Sequence, residues 1–289
     1  MKRLAISFSG GRTSAVMTKL LLERYRGTDT EVSVTFANTG CEHPTTLEFV
    51  RKCDEVFGFG TVWMEGVTGP EGVGMRHKVV TFETASRNGE PFQDYISKFG
   101  VPCQSHPQCT SRLKEDVMYD YRRSIGWTRG TYKTAIGIRV DEADRCSAKA
   151  DEHGFVYPLV QWGWNKDMVK AEVAKWPFDL ELPGDHYGNC VWCWKKSKRK
   201  LLTVAKESPE WFDFPAEMER KYSKLKAENA HGKRVFFRGN ESTADILRQA
   251  KTTKFTPYSD SLQRTFFEFD DFLDVGSGCG ESCEIGADE

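Results

Sequence analysis

Near its start the chain reads Leu4-Ala5-Ile6-Ser7-Phe8-Ser9-Gly10-Gly11-Arg12-Thr13-Ser14. Leu4–Phe8 alternates as a strand does and runs into a Ser-Gly-Gly turn. From Ser14 to Tyr25, Val16, Met17, Leu20 and Leu21 recur at helical spacing. A strand, a glycine turn and a helix aim the helix N-terminus and the turn's N–H groups at one point, where an anion is favoured. Gly10 and Gly11 permit the backbone angles and close approach that a phosphate cradle needs. Ser9, Thr13 and Ser14 add hydroxyl donors, and Arg12 adds charge. No Gly-Lys-Ser/Thr follows after four intervening residues, so this is not the Walker pattern. A purely structural turn has the same composition, and the surroundings must decide.

Outward from that loop, Val32–Ala37 reads as a second strand. Pro44 opens a helix through Leu47, Val50 and Val56 that stops at Gly58. Thr61–Met64 reads as a third strand, and the strand–helix alternation predicts an α/β fold with a parallel sheet and flanking helices. Further strands are expected at Lys78–Phe82 and Lys133–Ile138. Helices are expected near Tyr95, over Arg112–Arg123 and over Asn165–Trp176. From Lys195 onward the chain reads as helical and polar. These signals divide it into a nucleotide-binding catalytic unit over 1–200, a mainly helical extension over 201–265 and an acidic, cysteine-bearing tail over 266–289.

The bulk composition, 39% hydrophobic and 29% charged over 289 residues, is that of a globular enzyme. No apolar run approaches the ~20 residues that span a bilayer, and the start lacks a signal-peptide layout. A cytoplasmic protein with no membrane contact is expected. The net charge of −1 conceals an asymmetry: the eight acidic residues after Arg264 leave a body of 41 basic and 34 acidic residues. A net +7 body reads first as a basic body with a solvated acidic tail, and otherwise as one that attracts phosphates or nucleic acid while the tail covers the site. Within it, Trp192-Cys193-Trp194-Lys195-Lys196-Ser197-Lys198-Arg199-Lys200 interleaves indoles with cations. That reads either as a solvated helix face or as a surface that tracks a phosphate backbone and stacks bases.

Four ordered segments resemble the PAPS (phosphoadenosine phosphosulfate) reductase family of the PP-loop ATP pyrophosphatases, or adenine nucleotide alpha-hydrolases. They are Ser9-Gly10-Gly11-Arg12-Thr13-Ser14; Asn38-Thr39-Gly40; Gly137-Ile138-Arg139 with Asp141, Glu142 and Arg145; and Pro158-Leu159 with Trp162 and Asp167. The resemblance implies an adenine nucleotide, ATP or PAPS, across the carboxyl ends of the strands, where physics also places a ligand. The residues implied to hold it are Ser9, Gly10, Gly11, Arg12, Thr13, Ser14, Asn38, Thr39, Gly137 and Arg139. Arg139 and Ser14 are expected to stabilise charge during transfer.

Among the nine cysteines, clustering in a cytoplasmic enzyme points to metal binding or redox chemistry, with Cys190-Val191-Trp192-Cys193 at metal-ligand spacing and Cys103 and Cys109 as a second group; reduced, buried cysteines are the alternative. Four thiolates suit zinc or an iron–sulfur cluster. Cys109-Thr110-Ser111-Arg112-Leu113-Lys114 and Gly188–Cys193 are similar to segments of the cluster-bearing members, which implies a 4Fe-4S cluster first and zinc second. Cys103 enters that set by proximity alone. Cys279 and Cys283 lie in the acidic tail; the family's tail cysteine that attacks a sulfonate makes Cys283 a candidate nucleophile. Cys41, Cys53 and Cys146 read as core filling.

Two outcomes are implied. In one, a PAPS sulfonate passes to a cysteine and leaves as sulfite, with a thiol reductant protein as partner. In the other, ATP is cleaved to AMP and pyrophosphate while a sulfur donor modifies an acceptor such as nucleic acid. The late Cys-Gly tail favours the first and the intact Ser-Gly-Gly-x-x-Ser favours the second. A non-catalytic nucleotide-binding module is the remaining alternative.

Overall fold

Among the described residues six strands, numbered β1 to β6 in chain order, form one sheet in the spatial order β4-β3-β2-β1-β5-β6. In this computed structural model, which describes residues 2–227 and 232–259, β1 (Lys2–Ser7) is central and its last four residues are buried. It pairs in parallel with β2 (Thr30–Asn38) on one side and β5 (Lys133–Ala135) on the other, so that Ile6 faces both Val34 and Ala135. Beyond them, β3 (Val62–Thr68) and β6 (Phe155–Val156) continue the parallel set. Only β4 (Met75–Val80) runs antiparallel, as the return arm of a hairpin with β3. The chain winds outward through β1, β2 and β3, then returns to β5 beside β1. That reversal opens a crevice at the carboxyl ends of β1 and β5, where α/β sheets bind ligands.

The early elements follow the expected pattern. Helix α1 (Arg12–Tyr25) starts at the glycine turn. Helix α2 (Pro44–Phe57) has proline in its first turn and the His43 ring accepting from Thr45 N; Gly58, at φ 65°, closes it by bonding Asp54 O. The later strands differ. The expected strand at Lys78–Phe82 is the earlier, antiparallel β4, whose exposed edge carries no parallel signature. Of Lys133–Ile138, Lys133–Ala135 form the strand and Ile136 N still bonds Val156 O, after which Ile138 N turns back to Ile136 O at 3.0 Å. Strand β6 has two residues, too short to show alternation.

Helices α3 (Glu90–Phe99) and α4 (Asp116–Ser124) follow, α4 being preceded by a π-helical turn at Ser111–Glu115. Next come α5 (Ala150–His153), α6 (Pro158–Gln161) and α7 (Lys166–Val173), then α8 (Lys198–Glu207), α9 (Asp213–Tyr222) and α10 (Thr243–Thr252). One core packs β1 and β2 against α1 and α2 through Ile6, Phe8, Met17, Phe36 and Val50. A second joins Met64, Tyr95 and Val117 to Trp192, Leu202, Phe212, Phe236 and Ile246. The C-terminal helices are therefore packed into the sheet domain's own core. Among the described residues no helix is long and apolar enough to cross a membrane.

Candidate functional site

The glycine turn follows β1 directly: Phe8 N still bonds Thr35 O of β2, and the chain then bends at Gly10 with φ 83°. Beyond that angle, a Cβ on Gly10 would meet Thr46 Cγ2 at 2.7 Å. Two independent constraints thus demand glycine. Gly11 is the residue before α1, and no side chain caps that helix end, so the first N–H groups lack a side-chain acceptor. Ser14, fully buried, donates to Gly11 O at 3.1 Å and accepts from Ser9 N at 3.2 Å, with Ser9 Oγ at 2.8 Å. The hydroxyls bind the loop to itself and hold its shape.

The later Gly-x-Arg segment reaches this loop. A Cβ on Gly137 would lie 2.9 Å from Ser14 Cα, so glycine here lets the end of β5 approach the start of α1. Two residues on, Arg139 Nη1 donates to Thr13 Oγ1 at 2.8 Å. The same guanidinium bonds Asp141 at 3.1 Å and pairs with Glu142, which in turn holds Arg145. Its charge is thereby aimed and partly neutralised at the loop's edge.

Other expected ligands have different employment. Arg12 turns away toward 179–185, bonding Asp179 at 2.7 Å and the Leu180 carbonyl, with Asp185 at 3.9 Å. Asn38, fully buried, donates to Glu65 at 2.7 Å and to Ser86 O at 2.8 Å and accepts from Gly40 N; its amide builds the strand end. Thr39 N and Oγ1 both donate to the buried Glu42 carboxylate. Of the fourth motif, Leu159 is core and Asp167 exposed. Trp162 lies at the opposite end of the sheet, beside Lys2 and Leu4.

The structure brings Cys190 to this edge. Cys190 Sγ is 3.4 Å from Thr39 Oγ1, and the segment after β2 joins the loop around Cys190 through Val191 N to Cys41 O and a Glu42–Cys190 bridge. Burial pushes the Cys190 thiol well above its usual pKa, with Glu42 adding to it and Lys114 opposing. Cys41, expected as filler, adjoins it and is likewise raised by burial, then by Cys190 and Glu42. Cys41 and Glu42 were missed as site neighbours because only the fold sets residues 41 and 190 together. Cys103 Sγ lies instead 3.2 Å from Ser105 Oγ and 3.9 Å from His106 Nδ1. Among the described residues no three His, Cys, Asp or Glu side chains converge as metal ligands. Cys103, Cys109, Cys190 and Cys193 thus do not form a ready four-thiolate site. Cys279 and Cys283 lie outside the described residues.

The basic stretch is neither a solvated face nor an exposed nucleic-acid surface. Lys196 is 1% exposed and donates to the His186 and Val191 carbonyls at 2.6 Å each. Lys195, Arg199 and Lys200 are buried as well. Lys195 reaches Thr110, Arg199 reaches Thr256 O, and Lys200 covers the Tyr258 ring. Trp192 is packed against Phe92, Phe214 and Phe236. Long aliphatic stems let cations enter a core while their heads find carbonyls, which no helical periodicity reveals.

A family model for the phosphoadenosine phosphosulfate reductase domain matches residues 3–71. The chain is 32% identical over 293 residues to the uncharacterized nin region protein ORF290 of Escherichia phage lambda, spanning 97% of this chain and 94% of that protein. A crystal structure of PAPS reductase from Candida auris in a phosphate complex aligns with a TM-score of 0.36 and 18% identity, over 61% of this chain and 73% of that one. The stretch 3–71 is the part that builds β1, the glycine turn, the Asn38–Gly40 strand end and β3. With that segment in place at the sheet's switch point, the chain belongs to the PAPS reductase family of the PP-loop superfamily.

Proposed function

We propose that this protein is a PAPS-reductase-family enzyme that works on an adenine nucleotide at its α-phosphate in sulfur-transfer chemistry. The observation that carries the reading is the glycine turn before an uncapped helix N-terminus, with the Arg139 guanidinium 2.8 Å from Thr13 Oγ1. The helix end and the loop N–H groups hold phosphate oxygens. With PAPS, Arg139 stabilises the negative charge that grows on the nucleotide's 5′-phosphate as its bond to the sulfonate sulfur breaks.

With PAPS, a cysteine thiolate attacks the sulfonate sulfur, the S–O bond breaks, and adenosine 3′,5′-bisphosphate leaves with the electron pair. A second thiol then attacks the S-sulfocysteine, expels sulfite and closes a disulfide, which a dithiol reductant protein reopens. The Cys279-Gly280 segment of the tail supports this reading. Cys283 is the sequence's own candidate for the attacking thiol.

The alternative is an ATP-dependent, AMP- and pyrophosphate-forming sulfurtransferase, supported by the intact Ser9–Ser14 loop. Anaerobic incubation with PAPS plus dithiol, and separately with ATP, tests both. Sulfite with adenosine 3′,5′-bisphosphate is the expected result. AMP with pyrophosphate from ATP alone transfers the reading to the alternative, and no cleavage of either overturns enzymatic function.

A further inference from the structure

The basic, ring-bearing surface that the sequence suggested near Lys195 is buried, yet a second one exists at the other end of the sheet. An open cavity of about 550 Å³ lies at the amino ends of β1 and β5 and the carboxyl end of α1. Its size falls within the range of small-ligand sites. β1, six residues long, separates it by roughly 20 Å from the glycine turn, at about 3.3 Å per residue. The two regions are therefore distinct.

Three features give this cavity its chemistry. Lys2, Arg24 and Lys133 line it and make no ion pair among the described residues. In contrast, Arg3 beside them is neutralised by Glu31 at 3.0 Å, and no described carboxylate lines the walls. Tyr25, Tyr132 and Trp162 supply three rings, and Arg24 lies 5.8 Å over the Trp162 ring. Helix α1 ends here, so its dipole presents partial negative charge; that local field alone does not explain three unpaired cations, because Lys2 and Lys133 belong to strands. Cations without carboxylate partners attract an anion, and rings at their side accept a planar base. Phosphate together with a base is the chemistry of a nucleotide unit.

We propose that this cavity binds a nucleoside phosphate, with phosphate on Lys2, Arg24 and Lys133 and the base against the rings. The unit comes either from a free mononucleotide or from a single strand, and the site is independent of the glycine turn.

The experiment compares the full chain with Lys133→Glu, Arg24→Glu and Tyr25→Ala, all half-buried or exposed positions, each checked for an unchanged thermal midpoint. Anisotropy with a fluorescein-labelled oligothymidylate and an oligouridylate at two salt concentrations reads the strand source. Equilibrium dialysis with labelled AMP reads the free source as the number of equivalents bound. Strand binding that weakens steeply with salt and falls about tenfold in the variants is the expected result for a strand. A second equivalent of AMP, lost in the variants and kept in a Gly10→Val loop variant, is the expected result for a mononucleotide. Absence of both strand binding and a second equivalent overturns the proposal, as does binding that the three variants leave unchanged. Failure of the glycine turn to bind removes the other equivalent only, which keeps the two readings separable.

Discussion

Arg139 Nη1 donates to Thr13 Oγ1 at 2.8 Å across 126 residues of chain. The bond fixes a cation at the edge of the glycine turn, while Asp141 and Glu142 hold its other nitrogens. A guanidinium steadied in this way needs little reorganisation when charge develops beside it. Arg139→Ala is expected to lower kcat about 10²-fold to 10³-fold. Arg139→Lys recovers only part, because a single ammonium cannot keep the Thr13 bond and both carboxylates. Steady-state kinetics with PAPS or ATP check this; a change confined to KM would count against charge stabilisation in transfer.

Gly10 and Gly137 have different reasons to be glycine, and their alanine variants should differ accordingly. Gly10→Ala combines a left-handed φ with a contact at 2.7 Å to the movable Thr46 methyl. It is expected to cost about 2–4 kcal/mol in urea denaturation. Gly137→Ala sets a methyl 2.9 Å from the backbone of Ser14, which cannot rotate aside. It is expected to cost about 1–3 kcal/mol and also to weaken nucleotide binding, since the loop must shift. Wild-type affinity in a folded Gly137→Ala protein would remove the packing role assigned here.

Asp120 gives the fold a definite acid sensitivity. Burial alone would raise its pKa. Bonds from His77 N, His77 Nδ1 and Arg76 outweigh that and hold the carboxyl well below the usual range. A carboxyl depressed in the folded state adds stability above its unfolded pKa and loses it as pH falls toward the folded one. Stability should therefore decline below about pH 4, the ordinary aspartate range. Asp120→Asn is expected to cost about 2–3 kcal/mol at pH 7 and to flatten that acid limb. Urea midpoints between pH 3 and 7 make the comparison; parallel curves would mean the carboxyl is not the source.

Lys196 should behave as a core residue. Its ammonium satisfies two carbonyls at 1% exposure. Lys196→Ala is expected to destabilise by about 2–4 kcal/mol, from lost packing and unpaired carbonyls. The salt dependence of any polynucleotide binding should not change, since the buried charge meets no phosphate backbone. A weaker salt slope without loss of stability would restore the surface reading.

The sequence by itself determined the sheet's first half and its glycine turn. Leu4–Phe8 alternates, Gly10 and Gly11 interrupt, and α1 follows at helical spacing, all within twenty-five residues, where local periodicity decides conformation. It also singled out Arg139 as a candidate, through a short Gly-x-Arg segment that resembles the family's. What the neighbours of these residues do was not legible. Arg12 meets Asp179, Asn38 meets Glu65, and Cys190 meets Thr39 across gaps of 167, 27 and 151 residues. The sheet order alone sets those meetings. Burial of Lys195, Lys196, Arg199 and Lys200 was equally hidden: a cation's hydropathy reports its head group, whereas its place in a core depends on carbonyls that other segments supply. Local spacing determined the elements, and the crossover back to β5 decided which side chains share an edge.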